Sequence, residues 1–511
     1  MRHLIIIAFL AMSCNLGALF GQNQTSKAEA VKEISKNNLQ ANLEFLASDM
    51  LEGREAGKKG ADLSALFIAS QFKSYGLSPI AGTEAKSLED YIQAVPLVWE
   101  HLEHSSLDIR HGNLLLPLEE GADYQVTSAN ASFSLEGKVA FAGYGLNEKT
   151  LRSNKNKIQI LVRAIGLPDG YEEYHNLSDR QLKRKKNQLA KESGISAILE
   201  FDPDSPVFQN KSIEEADFGE KKKTKYSSGI YKRSIRQADA EINTEIPVFK
   251  ISHRVLSALF PTWKKDLDRE THKKSVELKE SSFSANLTAG FKSEPFTSGN
   301  VAGMIEGKNK DEVIVIGAHY DHLGIYNGYI YNGADDNASG AAGVMALAKA
   351  FAQSGIQPQK TLIFAAWTAE ERGLHGSTYF VKTFQDLSKI KYYHNYDMIG
   401  RSFDPEKPDS SVSFMYTKTW KLAKNITEQN NDRYDVNLNI RWGAMNNPAS
   451  GSDNAPFAKE GIPIMWFHTG GHPDYHGPYD HVEKIDWKKL ESIVKLSFLN
   501  IWDLCTEEDV E

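Results

Sequence analysis

Five short segments in the C-terminal part of the chain carry histidines and carboxylates and no cysteine. They are Gly317-Ala318-His319-Tyr320-Asp321-His322, Asn332-Gly333-Ala334-Asp335-Asp336-Asn337, Trp367-Thr368-Ala369-Glu370-Glu371, Asp397-Met398-Ile399-Gly400 and Asp474-Tyr475-His476-Gly477-Pro478-Tyr479-Asp480. Imidazole and carboxylate without thiolate suit zinc, and by ligand type cobalt or manganese as well. Two histidines and three carboxylates can hold two divalent ions when one carboxylate bridges them. Three carboxylates and one shared hydroxide then balance the charge of the pair, whereas a single zinc would leave excess negative charge packed together. Water held between two such ions is readily deprotonated at neutral pH, and the ions also polarise a scissile carbonyl. The pattern points to metal-assisted hydrolysis.

Spacing suggests roles. Glu370 and Glu371, read as the end of an extended strand, point to opposite sides, so one can bind metal while the other reaches the attacking water. Asp321 lies two residues beyond His319 and Asp480 four beyond His476, where each can accept from an imidazole and fix its orientation. Two choices stay open on residue type alone. Either Asp335 or Asp336 can be the ligand, the other being a charge at a helix start, and His472 competes with His476. The remaining histidines of this region, His322, His394, His468 and His481, read as hydrogen-bonded surface or core residues.

The elements that must position these groups are strands and helices in alternation. The runs 313–316, 361–366, 392–396 and 462–467 are apolar and β-rich, and 341–351 has helical spacing. Nearly continuous apolar strands separated by helices imply an α/β sheet buried on both faces. Most clusters follow such a run closely, and the carboxyl ends of strands in open α/β sheets form the binding crevice, so the five should converge there. Upstream, 28–78 has helical periodicity, interrupted at Gly53-Arg54-Glu55-Ala56-Gly57 and resumed over 63–75. Between 125 and 290, short strand-like runs (138–141, 158–162, 197–201, 246–251) alternate with polar stretches. The basic runs 183–186 and 221–223 in that region read as solvated helix faces and loops. The sequence holds no Walker loop, nucleophile elbow, HExxH, CxxC or internal repeat.

The five clusters in this order resemble the secreted zinc aminopeptidases of metallopeptidase family 28, to which glutamate carboxypeptidase II is related. The resemblance covers 292–511 and extends to 43–57, which is similar to an N-terminal segment of that family. It implies a zinc-exopeptidase α/β fold, phosphorylase/hydrolase-like, with a mixed sheet flanked by helices. It implies two zinc ions, one on His319 and Asp397, the other on Glu371 and His476, with Asp336 bridging. It further implies Glu370 as general base to a metal-bound hydroxide, Tyr475 as donor to the tetrahedral oxyanion, and N-terminal peptide bonds as substrate. Ser452-Asp453 matches a family segment that usually continues with histidine; Asn454 follows here, near the expected substrate pocket. Phe141-Ala142-Gly143-Tyr144-Gly145-Leu146, the 158–162 run and Gly194-Ile195-Ser196-Ala197-Ile198 are similar to a protease-associated domain inserted in longer members. The expected organisation is a signal peptide at 1–21, peptidase domain at 22–124 and 292–511, and a smaller α/β insert at 125–291. The alternatives on the same scaffold are a carboxypeptidase, a one-zinc glutaminyl cyclase, or a receptor-like binding protein without catalysis.

Composition sets outer bounds. The chain has 511 residues, 41% hydrophobic and 25% charged, in the range of globular proteins. Lys and Arg total 59 against 67 for Asp and Glu, a net charge of −8, which argues against a nucleic-acid partner. Two cysteines, Cys14 and Cys505, exclude a disulfide framework and a Cys-rich zinc module. Met1-Arg2-His3 and the apolar run 4–12, with small residues near Gly21 and Gln22, read as an export signal. The mature protein is expected in the periplasm or secreted, with Cys14 a poorer match to a lipid anchor. No segment reaches the roughly 20 apolar residues of a membrane span.

Overall fold

The computed structural model describes residues 26–80, 84–129, 131–205, 233–240, 246–273, 278–402, 409–446 and 451–506. The expected signal at 1–21, with Cys14, and the basic run 221–223 lie outside the described residues. Among the described residues no helix is long and apolar enough to cross a membrane.

In the C-terminal half, Asn309–His319 lies between Lys360–Trp367 and Ile390–Tyr396, parallel to both, and Ile464–His468 continues the parallel set beyond Ile390–Tyr396. Ser411–Thr417 and Asn439–Met445 close that edge. Side chains alternate along each strand, and both faces are apolar. Ile314, Ile316, Leu362 and Phe364 enter the core on one face, with the helices Lys59–Tyr75, Gly340–Ser354 and Trp487–Thr506. Val315, Ile363, Ala365 and Trp367 enter the core on the other, with His375–Thr383 and Asn454–Lys459. Two apolar faces are why these strands read as unbroken hydrophobic runs.

The register brings the carboxyl ends of these strands to one edge. His319 pairs with Trp367, Gly317 with Asn395, and Tyr396 with Phe467. Gly317 is required by its neighbours: a Cβ there would meet Trp367 Nε1 at 2.4 Å and the Tyr393 hydroxyl at 2.7 Å. Those groups begin a buried chain of hydrogen bonds, Trp367 Nε1 to Tyr393 hydroxyl (2.8 Å), Tyr393 to Asn395 Oδ1 (2.8 Å) and Asn395 Nδ2 to Ser452 (2.9 Å), that ties the strand ends together.

The middle region forms a second parallel set, Phe133–Phe141, Ile160–Ala164, Ala197–Phe201 and Val248–Ile251, with Tyr124–Ser128 antiparallel at its edge. It has its own cores on its two faces. Two long antiparallel strands, Ile92–His111 and Lys279–Ile305, join it to the C-terminal half, and the register of their pairing shifts between Gly290 and Phe291, at the expected domain boundary. Lys279–Ile305 pairs with Phe133–Phe141 near its start and with Lys360–Trp367 at its end. The result is one mixed sheet flanked by helices, as expected. The basic run 183–186 lies on the helix Asp179–Glu192, and here the expectation needs correction: Lys183 and Arg184 are exposed, but Lys186 is buried and donates to the carbonyls of Ala164 (2.7 Å) and Gly166 (3.2 Å). Its helical period turns it onto the sheet.

Candidate metal centre

His319 ends its strand, and Asp397 follows directly on Ile390–Tyr396. Asp336 sits in the distorted turn Ala334–Ser339 that opens the helix Gly340–Ser354, its peptide to Asn337 cis. The residues around Asp336 are committed to the backbone. Asp335 accepts from the Gly400 amide (2.6 Å), and Asn337 accepts from Gly340 (3.0 Å) and Met398 (3.2 Å) while donating to the Tyr396 carbonyl (3.0 Å). Asp335 Oδ2 faces His472 Nε2 at 3.3 Å, a pair buried apart from the cluster. Asp336 is left to face the other strand ends.

There the five groups meet. His319 Nε2 lies 3.5 Å from Asp336 Oδ1, 3.7 Å from Asp397 Oδ1 and 3.8 Å from Glu370 Oε2. His476 Nε2 lies 3.2 Å from Asp336 Oδ2 and 3.1 Å from Glu371 Oε2. His319, Asp336 and Asp397 offer ligand atoms within 4.8 Å of one another, and so do His322, Asp336 and Glu371, with Asp336 common to both groups. Asp321 Oδ2 and His322 Nε2, buried beside them, find no hydrogen-bond partner among the described residues. A buried, oxygen-rich set with unsatisfied polar atoms fits divalent cations.

The electrostatics agree. Burial pushes the Glu370 carboxyl well up, and Asp453, Asp397 and Glu371 push it further against the opposing pull of His319. For His319 and His476 burial opposes charge, but the surrounding carboxylates outweigh it and raise both imidazoles, His476 to about 12. Glu371 is held well below its ordinary value, because His476 and His322 outweigh its burial. Tyr475 stacks on His476 with ring centroids 3.9 Å apart. Burial and the charges of Asp336, Glu371, Asp397 and Glu370 raise its phenol, which stays protonated and able to donate.

Several expectations need correction. Glu370 and Glu371 lie in the turn beyond the strand Lys360–Trp367, not in extended chain, so strand alternation does not separate them. The turn, with Ala369 at φ 54°, aims both at the cluster from different directions. His319 Nδ1 pairs with the Asp321 carbonyl (3.2 Å) instead of the carboxylate, whose Oδ1 accepts from the Glu370 amide (3.0 Å). Asp480 does not orient His476. Its Oδ2 accepts from the amides of Asp335 (2.9 Å) and Asp336 (3.0 Å), so it holds the turn. Ser452 and Asp453 are fully buried beneath the strand ends, and Asp453 acts on Glu370 by charge. His394 is a core residue between Tyr396 and Phe467, but its ring nitrogens find no hydrogen-bond partner among the described residues, whereas His468 Nδ1 bonds the Asp397 carbonyl (2.7 Å) as expected.

His322 was not expected in the cluster. Its Nδ1 lies 2.6 Å from Glu371 Oε1 and 3.9 Å from Asp336 Oδ2. Its place three residues after His319 was the available signal. Arg54 had no signal beyond its glycine-flanked break in helical pattern.

Residues 300–499 match the model of peptidase family M28. A probable glutamate carboxypeptidase of Arthroderma benhamiae is 31% identical over 198 residues, 35% of this chain and 26% of that protein. Leucine aminopeptidase 2 of Trichophyton rubrum is 41% identical over 106 residues, 20% of this chain and 20% of that protein. The matches thus span about a quarter and a fifth of those relatives. Among solved structures, the aminopeptidase from Aneurinibacillus sp. strain AM-1 aligns over 95% of this chain and 98% of that one, with a TM-score of 0.61 at 18% identity. That likeness is one of fold, extending through the middle region as well as the strand ends. The stretch 300–499 that matches the family M28 model is also the stretch that carries the five motifs, and the likeness of fold extends over 95% of the chain.

Proposed function

We propose that the chain is an exported metalloexopeptidase that holds two zinc ions and removes residues from the N-termini of peptides. His319 and Asp397 would hold one ion, Glu371 and His476 would hold the other, and Asp336 would serve both. The observation that carries this reading is the meeting of these side chains, from five separate segments, around the shared carboxylate of Asp336. When bound, the two ions supply Lewis acidity to the scissile carbonyl and acidify the attacking water.

The chain's own residues supply the rest. Glu370 takes the proton of the attacking water and returns it to the leaving amine. Asp321 holds the Glu370 backbone by accepting its amide proton. His322 engages Glu371 Oε1, which leaves Oε2 on the side of His476. The Tyr475 phenol donates to the oxyanion of the tetrahedral intermediate. A carboxypeptidase would need a cation for the substrate carboxylate. Arg372 pairs with Glu55 (3.4 Å), and Arg401 pairs with Asp474 (2.9 Å) and faces Asp480 (3.5 Å), which favours the aminopeptidase reading. In this reading the inserted, protease-associated-like region approaches the site through its described strand Arg233–Gln237. That strand pairs with Ile92–His111, and His375, at the end of the Glu370–Glu371 turn, lies 2.8 Å from the Ile235 carbonyl through Nε2.

Digestion of a mixed peptide pool by the zinc-loaded protein tests the reading, comparing free with acetylated N-termini by mass spectrometry. Stepwise loss from free N-termini alone, abolished by chelation, is expected. Trimming from the C-terminus of acetylated peptides establishes a carboxypeptidase instead, cyclisation of N-terminal glutamine a cyclase, and no reaction at all a binding protein.

A further inference from the structure

We propose that Arg54 is a positioning residue of this centre: its guanidinium binds the 319–322 and 332–336 loops to each other and so sets His319, His322 and Asp336 in register. The proposal rests on the metallopeptidase reading above. Arg54 belongs to the N-terminal segment, far in sequence from any proposed ligand, and it is fully buried.

Among the described residues, the hydrogen bonds of this side chain go to backbone carbonyls. Nε donates to Tyr320 (2.6 Å), Nη1 to Asn332 (2.6 Å) and to Leu46, and Nη2 to Gly333 (3.0 Å). Tyr320 lies between His319 and His322, while Asn332 and Gly333 lead directly into the turn that carries Asp336. The Leu46 carbonyl ends the helix Lys36–Leu46, which anchors the clamp to the core. The main chain of Arg54 adds a further tie, its carbonyl accepting from the His322 amide at 3.3 Å. A planar fork of donors can span diverging carbonyls in this way, whereas a lysine ammonium cannot reach them in one plane.

The local backbone is bent to deliver this side chain. Glu52, Gly53 and Arg54 all have positive φ, at 51°, 68° and 52°. A Cβ at Gly53 would meet the carbonyl oxygens of Tyr331 at 2.5 Å and Gly324 at 2.6 Å, so the turn also needs the glycine. Two non-glycine residues in the left-handed region mark a conformation kept at a cost. The cation itself faces Asp321, Asp336, Asp480 and Glu371. Burial lowers its pKa to about 10, which leaves it charged at neutral pH. Charge and geometry therefore make opposite demands. A fixed cation repels divalent ions, so if charge were its main contribution, removing it would tighten metal binding. If alignment is its contribution, removing it weakens metal binding.

The test compares Arg54→Met and Arg54→Lys with the intact protein, reading zinc stoichiometry, zinc affinity by chelator competition, and the absorption spectrum of the cobalt-loaded forms. Arg163→Met serves as a control for losing a buried arginine elsewhere. Both Arg54 variants are expected to bind metal 10–100-fold more weakly, with an altered cobalt spectrum and a fall in kcat larger than any change in KM. The control keeps affinity and spectrum. Equal or tighter metal binding by Arg54→Met overturns the proposal. Failure of both Arg54 variants to fold also overturns it, in favour of a role in folding alone. An intact protein that binds no metal sinks the underlying metallopeptidase reading, a different outcome from indifferent variants of a working one.

Discussion

In the middle region, the buried cations Arg163 and Lys186 lie with the buried carboxylates Glu200 and Glu270. At the C-terminal strand ends, Asp321, Asp336, Glu370, Glu371, Asp397 and Asp453 crowd around His319, His322 and His476. In the first network one ion pair is closed and the other two charged groups are held by neutral partners, Lys186 by the carbonyls of Ala164 and Gly166. Arg163 binds Glu200 through Nε (3.1 Å) and Nη2 (2.9 Å), and Glu270 accepts from the Tyr144 amide (2.9 Å) and the Tyr171 hydroxyl (3.1 Å). The second is weighted towards anions, with Arg54 as a fixed cation and imidazoles that are cationic only while protonated. A network whose members find partners within the chain can stay buried without an added ion, although each charged group still loses its hydration. An anionic one is costly to close and gains most when cations enter. Burial of charge alone does not mark a functional site; imbalance of charge does.

Removal of metal should separate the two regions most strongly. Chelation is expected to abolish activity and to lower the unfolding temperature of the peptidase half. Restored zinc at a thousandfold excess over its Kd should return about 4 kcal/mol. An apo protein of unchanged Tm in scanning calorimetry breaks the contrast. Next, Glu370→Gln should retain its zinc by elemental analysis while kcat falls roughly 10²–10⁴-fold. Unaltered turnover removes Glu370 from the chemistry.

Arg163→Met should act on stability alone. Leaving Glu200 buried without its partner should cost about 3–5 kcal/mol in denaturant unfolding, with metal content and activity per folded molecule kept. Loss of zinc in this variant would show that the two networks are coupled. Tyr475→Phe should lower kcat by about one to two orders of magnitude, the share of a single oxyanion donor; steady-state kinetics showing no change takes the phenol out of the mechanism.

The smallest expected effect is a pH dependence from Lys186, whose pKa burial lowers to about 7, with Arg163 adding to the shift. The unfolded chain holds that proton up to about pH 10.4. Between about pH 7 and 10 the unfolded state binds more protons, so this group's destabilising contribution is full below pH 7 and is released as pH rises. The Tm advantage of Lys186→Met over the unmodified protein should shrink across that window. A constant difference argues against a buried charged lysine.

Much of the C-terminal half was legible in the chain. The runs 313–316, 361–366 and 392–396 lie within strands, because two apolar faces leave an unbroken hydrophobic signature. The long strands Ile92–His111 and Lys279–Ile305 gave no such signature. Their side chains are half exposed and often polar, and each is held largely by hydrogen bonds to a partner far away in the chain. The break at 53–57 was visible, but its purpose was not, since three of the four carbonyls that Arg54 binds, those of Tyr320, Asn332 and Gly333, lie more than 260 residues downstream.

The residue inventory of the site, its order along the chain and its location at strand ends follow from local pattern, because side-chain periodicity and strand length are set by neighbours in sequence. Which group faces which was decided only by tertiary packing. Asp335 turns to His472 and Asp336 to His319 and His476; Asp480 serves a backbone turn; His322 joins Glu371. Hydrogen bonds and ligand sets operate at about 3 Å. At that range the choice between adjacent aspartates depends on how segments more than a hundred residues apart are stacked, and residue type and spacing do not encode it.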